Sequence, residues 1–368
     1  MNILFNFPSN KRAVSIESLA EAFINKGHKV FFYSEEPKGL LHEFVEKFGV
    51  INHFNVLHKK SAGLFYIKHA FALAKCIREN KIDLVFSHTQ VANISAVIAQ
   101  YFCNTRMIIC RHHSDTAFIN NNFNERMLDR IINRLGREFI VPCKKVYDQM
   151  IVEGVKAEKI KLIYYGYNFN YYQLPDQAKV NEIKDRYACD LLLVKAARYI
   201  VEKRHVILFR VIKKLADEGF NIKCLALSDG PERANLEKFV AENNLLNHVY
   251  LLGFKPDVLT YLSAADLVIH LSSSEASNNL VKEVGLLKKP VLVCADVGDF
   301  DDYIENNINA FKINKDYPET ELEEVIRKIY HHKELLDSLG SSLHKKVFEM
   351  FSIEKVISEY DEYLGINK

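Results

Sequence analysis

The chain is poor in glycine and proline, with 14 and 8 among 368 residues. That leaves little room for long linkers and excludes collagen-like repeats. Its seven cysteines (Cys76, Cys103, Cys110, Cys143, Cys189, Cys224 and Cys294) are scattered, odd in number and never spaced C-x-x-C. Neither a disulfide framework nor a zinc site is expected from them, and the compartment should be reducing. No stretch reaches the ~18 uninterrupted apolar residues of a membrane span, and the opening MNILFNFPSNKRAV holds too short an apolar run for a secretory signal. A soluble, cytoplasmic protein is the expectation. Also missing are a Walker-type glycine loop, a G-x-S-x-G and a G-x-G-x-x-G after the first apolar run. Their absence argues against P-loop enzymes, α/β-hydrolases and standard dehydrogenases.

What is present is globular in kind. Hydrophobic residues make up 48% and charged residues 26%, and one domain per ~150 residues gives two domains. Net charge is only +2, yet residues 1–180 carry 24 Lys and Arg against 16 Asp and Glu, while the remainder carries 25 against 31. A basic half suits an anionic partner, although two solvated surfaces of different composition give the same figures.

Short apolar runs alternate with longer amphipathic stretches. NILFNF, HKVFFY, DLVFSH and RMIICRH read as strands, as do LLLVKAA, NIKCLALS, HVYLLG, DLVIHLS and PVLVCA. Strands alternating with helices imply parallel pairing through right-handed crossovers, hence open α/β sheets. The rhythm breaks over 164–190, which is rich in tyrosine and asparagine and contains Pro175. Two α/β domains joined near 170–190 are predicted. The final FSIEKVISEYDEYL is an amphipathic helix with no strand after it, so it should dock on existing surface.

Open parallel sheets bind ligands beyond the carboxyl ends of their strands. After DLVIHLS come Glu275 and, within the next helix, Glu283. Between them Ser277, Asn278 and Asn279 are cap-type residues at a helix start, where free N–H groups and the dipole favour an anion. A capped helix carrying a solvated glutamate fits the same letters. After LLLVKAA come Arg198 and Lys203, two cations able to neutralise a diphosphate, or ordinary surface charge at a helix start. Gly230 in ALSDGP would allow close approach of a ligand to backbone. In the first half, His88 ends one strand, and Arg111, His112, His113 and Asp115 end another. Such histidines can bond a sugar or move a proton, or simply support structure. Adjacent strand residues point to opposite faces, so His112 and His113 are not expected to share a metal ion. Asp299 and Asp301 form a D-x-D beside a helix start, where capping is the expected role.

In order, these pieces resemble the GT-B retaining glycosyltransferases of family four (glycosyl transferases group 1). AARYIVEK resembles that family's GRL…EKG segment, with Arg198 and Lys203 on the matching positions. LALSDGPERANLEKFVAENNLLNHVYLLGF resembles its glycine-containing lvGdGp…flGf segment. DLVIHLSSSEASNNLVKEVGLLKKPVLV resembles the PS..EGfg…lEA…G.PVv segment and places Glu275 and Glu283 on its paired glutamates. In the first half INKGHKVFFY, DLVFSHTQVANISAVIA and VKAEKIKLIYYGYNF carry weaker likenesses. The glycine-rich loop near the family's N-terminus is replaced by FPSNKRAVS, Ala276 replaces a glycine, Tyr165 replaces the asparagine before Gly166, and Leu271 replaces a proline.

The resemblance implies an α/β protein of GT-B architecture, two Rossmann-like domains with parallel sheets facing across a cleft. Residues 1–172 would bind the acceptor and 173–345 the nucleotide sugar, with 346–368 a helix returning to the first domain. It implies transfer of a sugar from a UDP- or GDP-linked donor to a glycan or lipid-linked acceptor, with retention, in surface polysaccharide or glycolipid synthesis. Arg198, Lys203, Glu275 and His112 would be catalytic. Glu283, Ser277, Asn278, Asn279, Leu280, Gly230 and Gly253 would hold the donor, and His88 and His113 would lie on the acceptor side. No metal, other cofactor or nucleic acid is expected. Peripheral contact with the inner face of a membrane is expected through the basic first domain, whose Lys59, Lys60, Lys68, Lys75 and Arg78 interleave with Leu64, Phe65, Tyr66 and Phe71; the same letters fit a helix whose core face is Phe65, Phe71 and the alanines, with its lysines merely solvated. The alternatives are a non-catalytic nucleotide-sugar-binding protein, a GT-B nucleotide-sugar epimerase and, less well matched, a dehydrogenase.

Overall fold

NILFN becomes β1 (Asn2–Asn6), and its apolar side chains are buried on both faces, as a central parallel strand requires. The computed structural model describes residues 1–56, 62–112 and 123–366. Lys59, Lys60, His113 and Asp115 lie outside the described residues. The chain divides into two units, Met1–Asn168 with Phe351–Lys368, and Phe169–Met350.

The first unit runs β1, α1 (Val14–Asn25), β2 (Lys29–Ser34), α2 (Leu40–Glu46), β3 (Ile51–Phe54) and α3 (Ala62–Glu79). It continues β4 (Leu84–His88), α4 (Gln90–Ala99), β5 (Arg106–Cys110), α5 (Phe123–Leu135), β6 (Glu138–Val141), α6 (Lys144–Val152) and β7 (Ile160–Leu162). The sheet order is β3-β2-β1-β4-β5-β6-β7, with parallel pairing. The reversal of direction at β1 puts the carboxyl ends of β1 and β4 at a switch point, where such sheets take ligands.

One face of this unit is closed by a late piece of chain. The last helix, which follows Ser352 and spans Ile353–Leu364, packs on α1. Its Tyr360 lies edge-on to Phe23 and Phe86, at ring distances of 5.9 and 5.5 Å. Lys26 pairs with the buried Asp361 at 2.5 Å, and the Tyr363 hydroxyl donates to Glu138 at 3.0 Å. A Cβ on Gly166 would lie 2.8 Å from Ile353, so glycine is what lets this helix approach.

The second unit runs α7 (Gln177–Arg186), β8 (Leu191–Ala196), α8 (His205–Asp217), β9 (Ile222–Leu227), α9 (Arg233–Glu242), β10 (Val249–Gly253), α10 (Val258–Ala264) and β11 (Leu267–His270). Then come α11 (Asn279–Leu286), β12 (Val291–Cys294), α12 (Phe300–Tyr303), β13 (Phe311–Ile313), α13 (Pro318–His331) and α14 (Glu334–Phe351). Ile353–Leu364, the helix already met, is α15. The strand order β10-β9-β8-β11-β12-β13 is parallel and reverses at β8. The loops after β8 and β11 therefore meet at this unit's own switch point.

Candidate functional site

At the second unit's switch point the segment after β11 runs past Glu275 to α11. Asn278 caps that helix, its side chain accepting from Val281 N–H at 3.2 Å. The same Asn278 turns its amide N–H to Glu275 Oε1 at 3.1 Å. His270, the last residue of β11, places Nε2 2.8 Å from that oxygen. Lys203, in the short turn after β8, donates to it as well and to Ser272 Oγ at 3.1 Å. Burial pushes the Glu275 carboxyl up, but the hydrogen bond from His270 and the Lys203 ammonium outweigh it and hold it at about 2. It is therefore ionised throughout the working pH range.

The loop is braced from below. Ser277 Oγ donates to Asp299 at 2.6 Å, and Lys282 of α11 bonds the same carboxylate, with both charged groups fully buried. Asp299 makes no side-chain cap to α12. The capping role expected for it is thus corrected, because the buried Lys282 ammonium claims its carboxylate. Asp301 goes elsewhere, accepting from Asp296 N–H at 2.5 Å and Lys312 at 2.9 Å. Gly298 has φ +55°, and a Cβ there would lie 2.8 Å from Ala276 O and 2.9 Å from Glu275 Cβ, so the floor of the loop accepts no side chain.

Asn279 and Leu280 form the first turn of α11, where backbone N–H groups lack intrahelical acceptors. Glu283 lies one turn further on, partly buried, and burial without a counter-charge raises its carboxyl to about 7. Arg198 is exposed just past β8, and its guanidinium meets no partner among the described residues. Beside it, Tyr199 N–H donates to Asp229 O at 3.1 Å and Glu232 N–H to Tyr199 O at 3.0 Å. A Cβ on Gly230 would sit 2.4 Å from Tyr199 O, so this loop crossing needs glycine. Gly253 ends β10 with φ +71° and accepts from Ser228 N–H at 2.8 Å. The structure thus joins Lys203, Glu275 and Asn278 directly and sets Ser277 on the same loop. Glu283 and Arg198 stand apart from that hub.

In the first unit, His88 Nδ1 lies 2.9 Å from His112 Nε2, and His112 Nδ1 bonds the Tyr165 hydroxyl. Both nitrogens of His112 are engaged. His88 is buried against Phe5 and Phe7, and its Nε2 meets no partner among the described residues. Arg111 is turned away into Asp129 and Glu153, at 3.1 and 3.3 Å. The sequence pattern singles out neither Tyr165 nor His270 as a site residue. A histidine closing an apolar strand five places before Glu275 was the signal available for the second.

Two family models account for most of the chain, Glycosyltransferase Family 4 over residues 13–171 and Glycosyl transferases group 1 over 176–345. The chain belongs to the group 1 glycosyltransferases. This glycosyltransferase is 23% identical over 349 residues to the alpha-monoglucosyldiacylglycerol synthase of Acholeplasma laidlawii, covering 89% of this chain and 85% of that protein. It is 25% identical over 243 residues to the uncharacterized glycosyltransferase MJ1059 of Methanocaldococcus jannaschii, and there the match spans 61% of this chain and only 59% of the relative. Among solved structures, Anabaena HepE in complex with UDP-glucose superposes with a TM-score of 0.83 at 20% identity, covering all of both chains. The architecture is GT-B.

Proposed function

We propose that this glycosyltransferase moves a hexosyl group from a nucleoside diphosphate sugar to a glycan or lipid-linked acceptor, with retention at the anomeric carbon and without a divalent metal. The observation that carries the reading is the ionised Glu275, pinned by Lys203, His270 and Asn278 at the start of α11, with Glu283 one turn beyond. The anomeric C–O bond to the diphosphate breaks, and a C–O bond to the acceptor forms on the same face. The acceptor hydroxyl's proton leaves with the departing phosphate. Arg198, Lys203 and the N–H groups of residues 277–280 stabilise charge on that phosphate, which is commonly the largest catalytic contribution. Glu283 accepts the ribose hydroxyls, and Glu275 meets the sugar hydroxyls. A sugar contact through His112 requires it to exchange its bond to Tyr165 or His88. A lipid-linked acceptor accords with the diacylglycerol named for the Acholeplasma relative, and a UDP donor with the ligand of the HepE structure.

A melting-shift screen across nucleotide sugars, followed by transfer assays with the labelled hit, tests this. A donor at one hundred times its Kd should stabilise the fold by ~2.7 kcal/mol. Donor converted without transfer, to an epimer, would overturn the reading. Activity is expected to survive excess EDTA, since two cations face the diphosphate. Loss restored by magnesium or manganese would refute metal independence.

Membrane contact is proposed through the first unit. No helix of the described residues is long and apolar enough to cross a membrane. However, α3 exposes Leu64, Ile67 and Phe71 beside Lys68 and Lys75, and the Phe71 ring lies 4.6 Å from that of the exposed Phe102. Phe71 therefore lies outside the core face of α3, which Ala70, Leu73, Ala74 and Ile77 form. α5, which packs on α4 as α3 does, exposes Phe123, Met127 and Ile131 beside Arg130 and Arg134. Apolar side chains ringed by cations suit an anionic bilayer surface, where each basic residue contributes ~1 kcal/mol. The protein should sediment with phosphatidylglycerol vesicles at low salt and be released at high salt. Protein left in the supernatant at low salt would refute the contact.

A further inference from the structure

Three donors converge on one oxygen of Glu275. His270 Nε2 lies at 2.8 Å, Asn278 Nδ2 at 3.1 Å, and the Lys203 ammonium completes the set, all on Oε1. No donor among the described residues reaches Oε2. We propose that His270 is a positioning residue for transfer: its Nε2–H turns Glu275 so that Oε2 alone faces the ligand and accepts a sugar hydroxyl. This rests on the reading of Glu275 as a sugar contact.

The histidine is built for one protonation state. It is 2% exposed, lies edge-on to Phe300 at 5.7 Å, and its Nδ1 is buried with no partner among the described residues. A charged ring would leave an Nδ1–H with no acceptor, so the neutral Nε2–H tautomer fits, and burial lowers its pKa accordingly. The charged and titratable groups that influence it are Lys195 of β8, Lys203 of the following turn, His205 of α8 and Glu275 itself. Lys195 and His205 are buried, with Nζ and Nε2 lacking partners among the described residues. Burial lowers Lys195 to about 7 and His205 to about 2. None of these groups offers the carboxylate the fixed, directional bond that His270 makes, because lysine carries three rotatable donors on a flexible stem.

His270→Phe keeps the ring against Phe300 and removes the donor, whereas His270→Gln keeps an N–H. The Phe variant should lose about tenfold or more in kcat, in line with a lost hydrogen bond to a charged group, with a smaller change in donor KM. The acid limb of its kcat/KM profile should move to higher pH, because Glu275 loses a bond that favours its ionised form. The Gln variant should recover most of kcat and of the acid limb. A Phe variant with wild-type kcat and an unmoved acid limb would overturn the proposal. So would Phe and Gln variants that lose rate and melting temperature equally, which is a packing effect. Glu275→Gln separates the two levels. Full transfer by that variant removes the site reading itself, whereas its inactivity beside a wild-type His270→Phe removes this inference alone.

Discussion

Lys203→Ala should lower kcat by two orders of magnitude or more, following the ~3 kcal/mol typical of a donor that stabilises developing negative charge. The structure doubles the reason. The ammonium is expected at the leaving phosphate, and it also bonds Glu275 and Ser272. Removing it leaves a carboxylate in a largely buried site with His270 and Asn278 as its remaining donors among the described residues. A second signature follows from the sign of the shift. Glu275 is held down from 4.5 to about 2, so its contribution to stability is present above about pH 4.5 and lost as pH falls through about 2. In the variant the folded value rises, and stability and activity should both begin to fail at a higher pH. Acid titrations of melting temperature and of kcat/KM on purified protein check both. Unchanged turnover would remove Lys203 from the active site.

Glu283→Gln should stabilise the free protein while disabling it. Burial lifts this carboxyl from 4.5 to about 7, so the folded state is penalised as pH rises from about 4.5 and fully so above about 7. The amide is neutral at every pH. Its advantage should therefore appear above neutrality, amount to roughly 2 kcal/mol after allowance for partial exposure, and vanish below about pH 4.5. In melting temperature that is on the order of 5 °C for a unit of this size. Donor affinity should fall at least a hundredfold, because ribose hydroxyls lose a charged acceptor. For the wild type, donor binding should strengthen as pH rises through 7, since hydroxyl donors favour the ionised carboxylate. Calorimetric melts with and without nucleotide at pH 5 and 8 give all three quantities. A lower melting temperature at pH 8 would mean that the carboxylate is already paired, and the ribose reading would fail.

Much of the fold was legible because a central parallel strand is an apolar run on both faces. NILFN, KVFFYS, LLLVKA and IKCLAL are all of that kind. The strands that escaped notice are short. INHF, IKL and FKI lie at sheet edges and EFIV beside one, with three or four residues each, and take their pairing from a neighbour rather than from their own pattern. The stretch around 164–190 reads as irregular, yet it contains α7, a mostly polar helix that buries Val180 alone. Its capping residue Asp176, which accepts from Ala178 N–H at 2.9 Å, was the available signal. Glu275 and Lys203 were visible because their spacing after strands is a pattern. The pairing of Lys282 with Asp299 was not, since a buried ion pair between residues 17 apart looks in sequence like a surface lysine and a helix cap.

The return of α15 to the first unit bears on how the chain is made. Residues 1–168 are synthesised before the second unit, but the cluster around Phe23 and Phe86 lacks Tyr360 until that second unit has been made as well. The second unit is continuous in sequence and needs nothing made after it. Vectorial synthesis therefore inverts the usual order, in which the N-terminal domain is finished first. The earlier-made half waits, with an apolar face of α1 uncovered, until its last helix arrives.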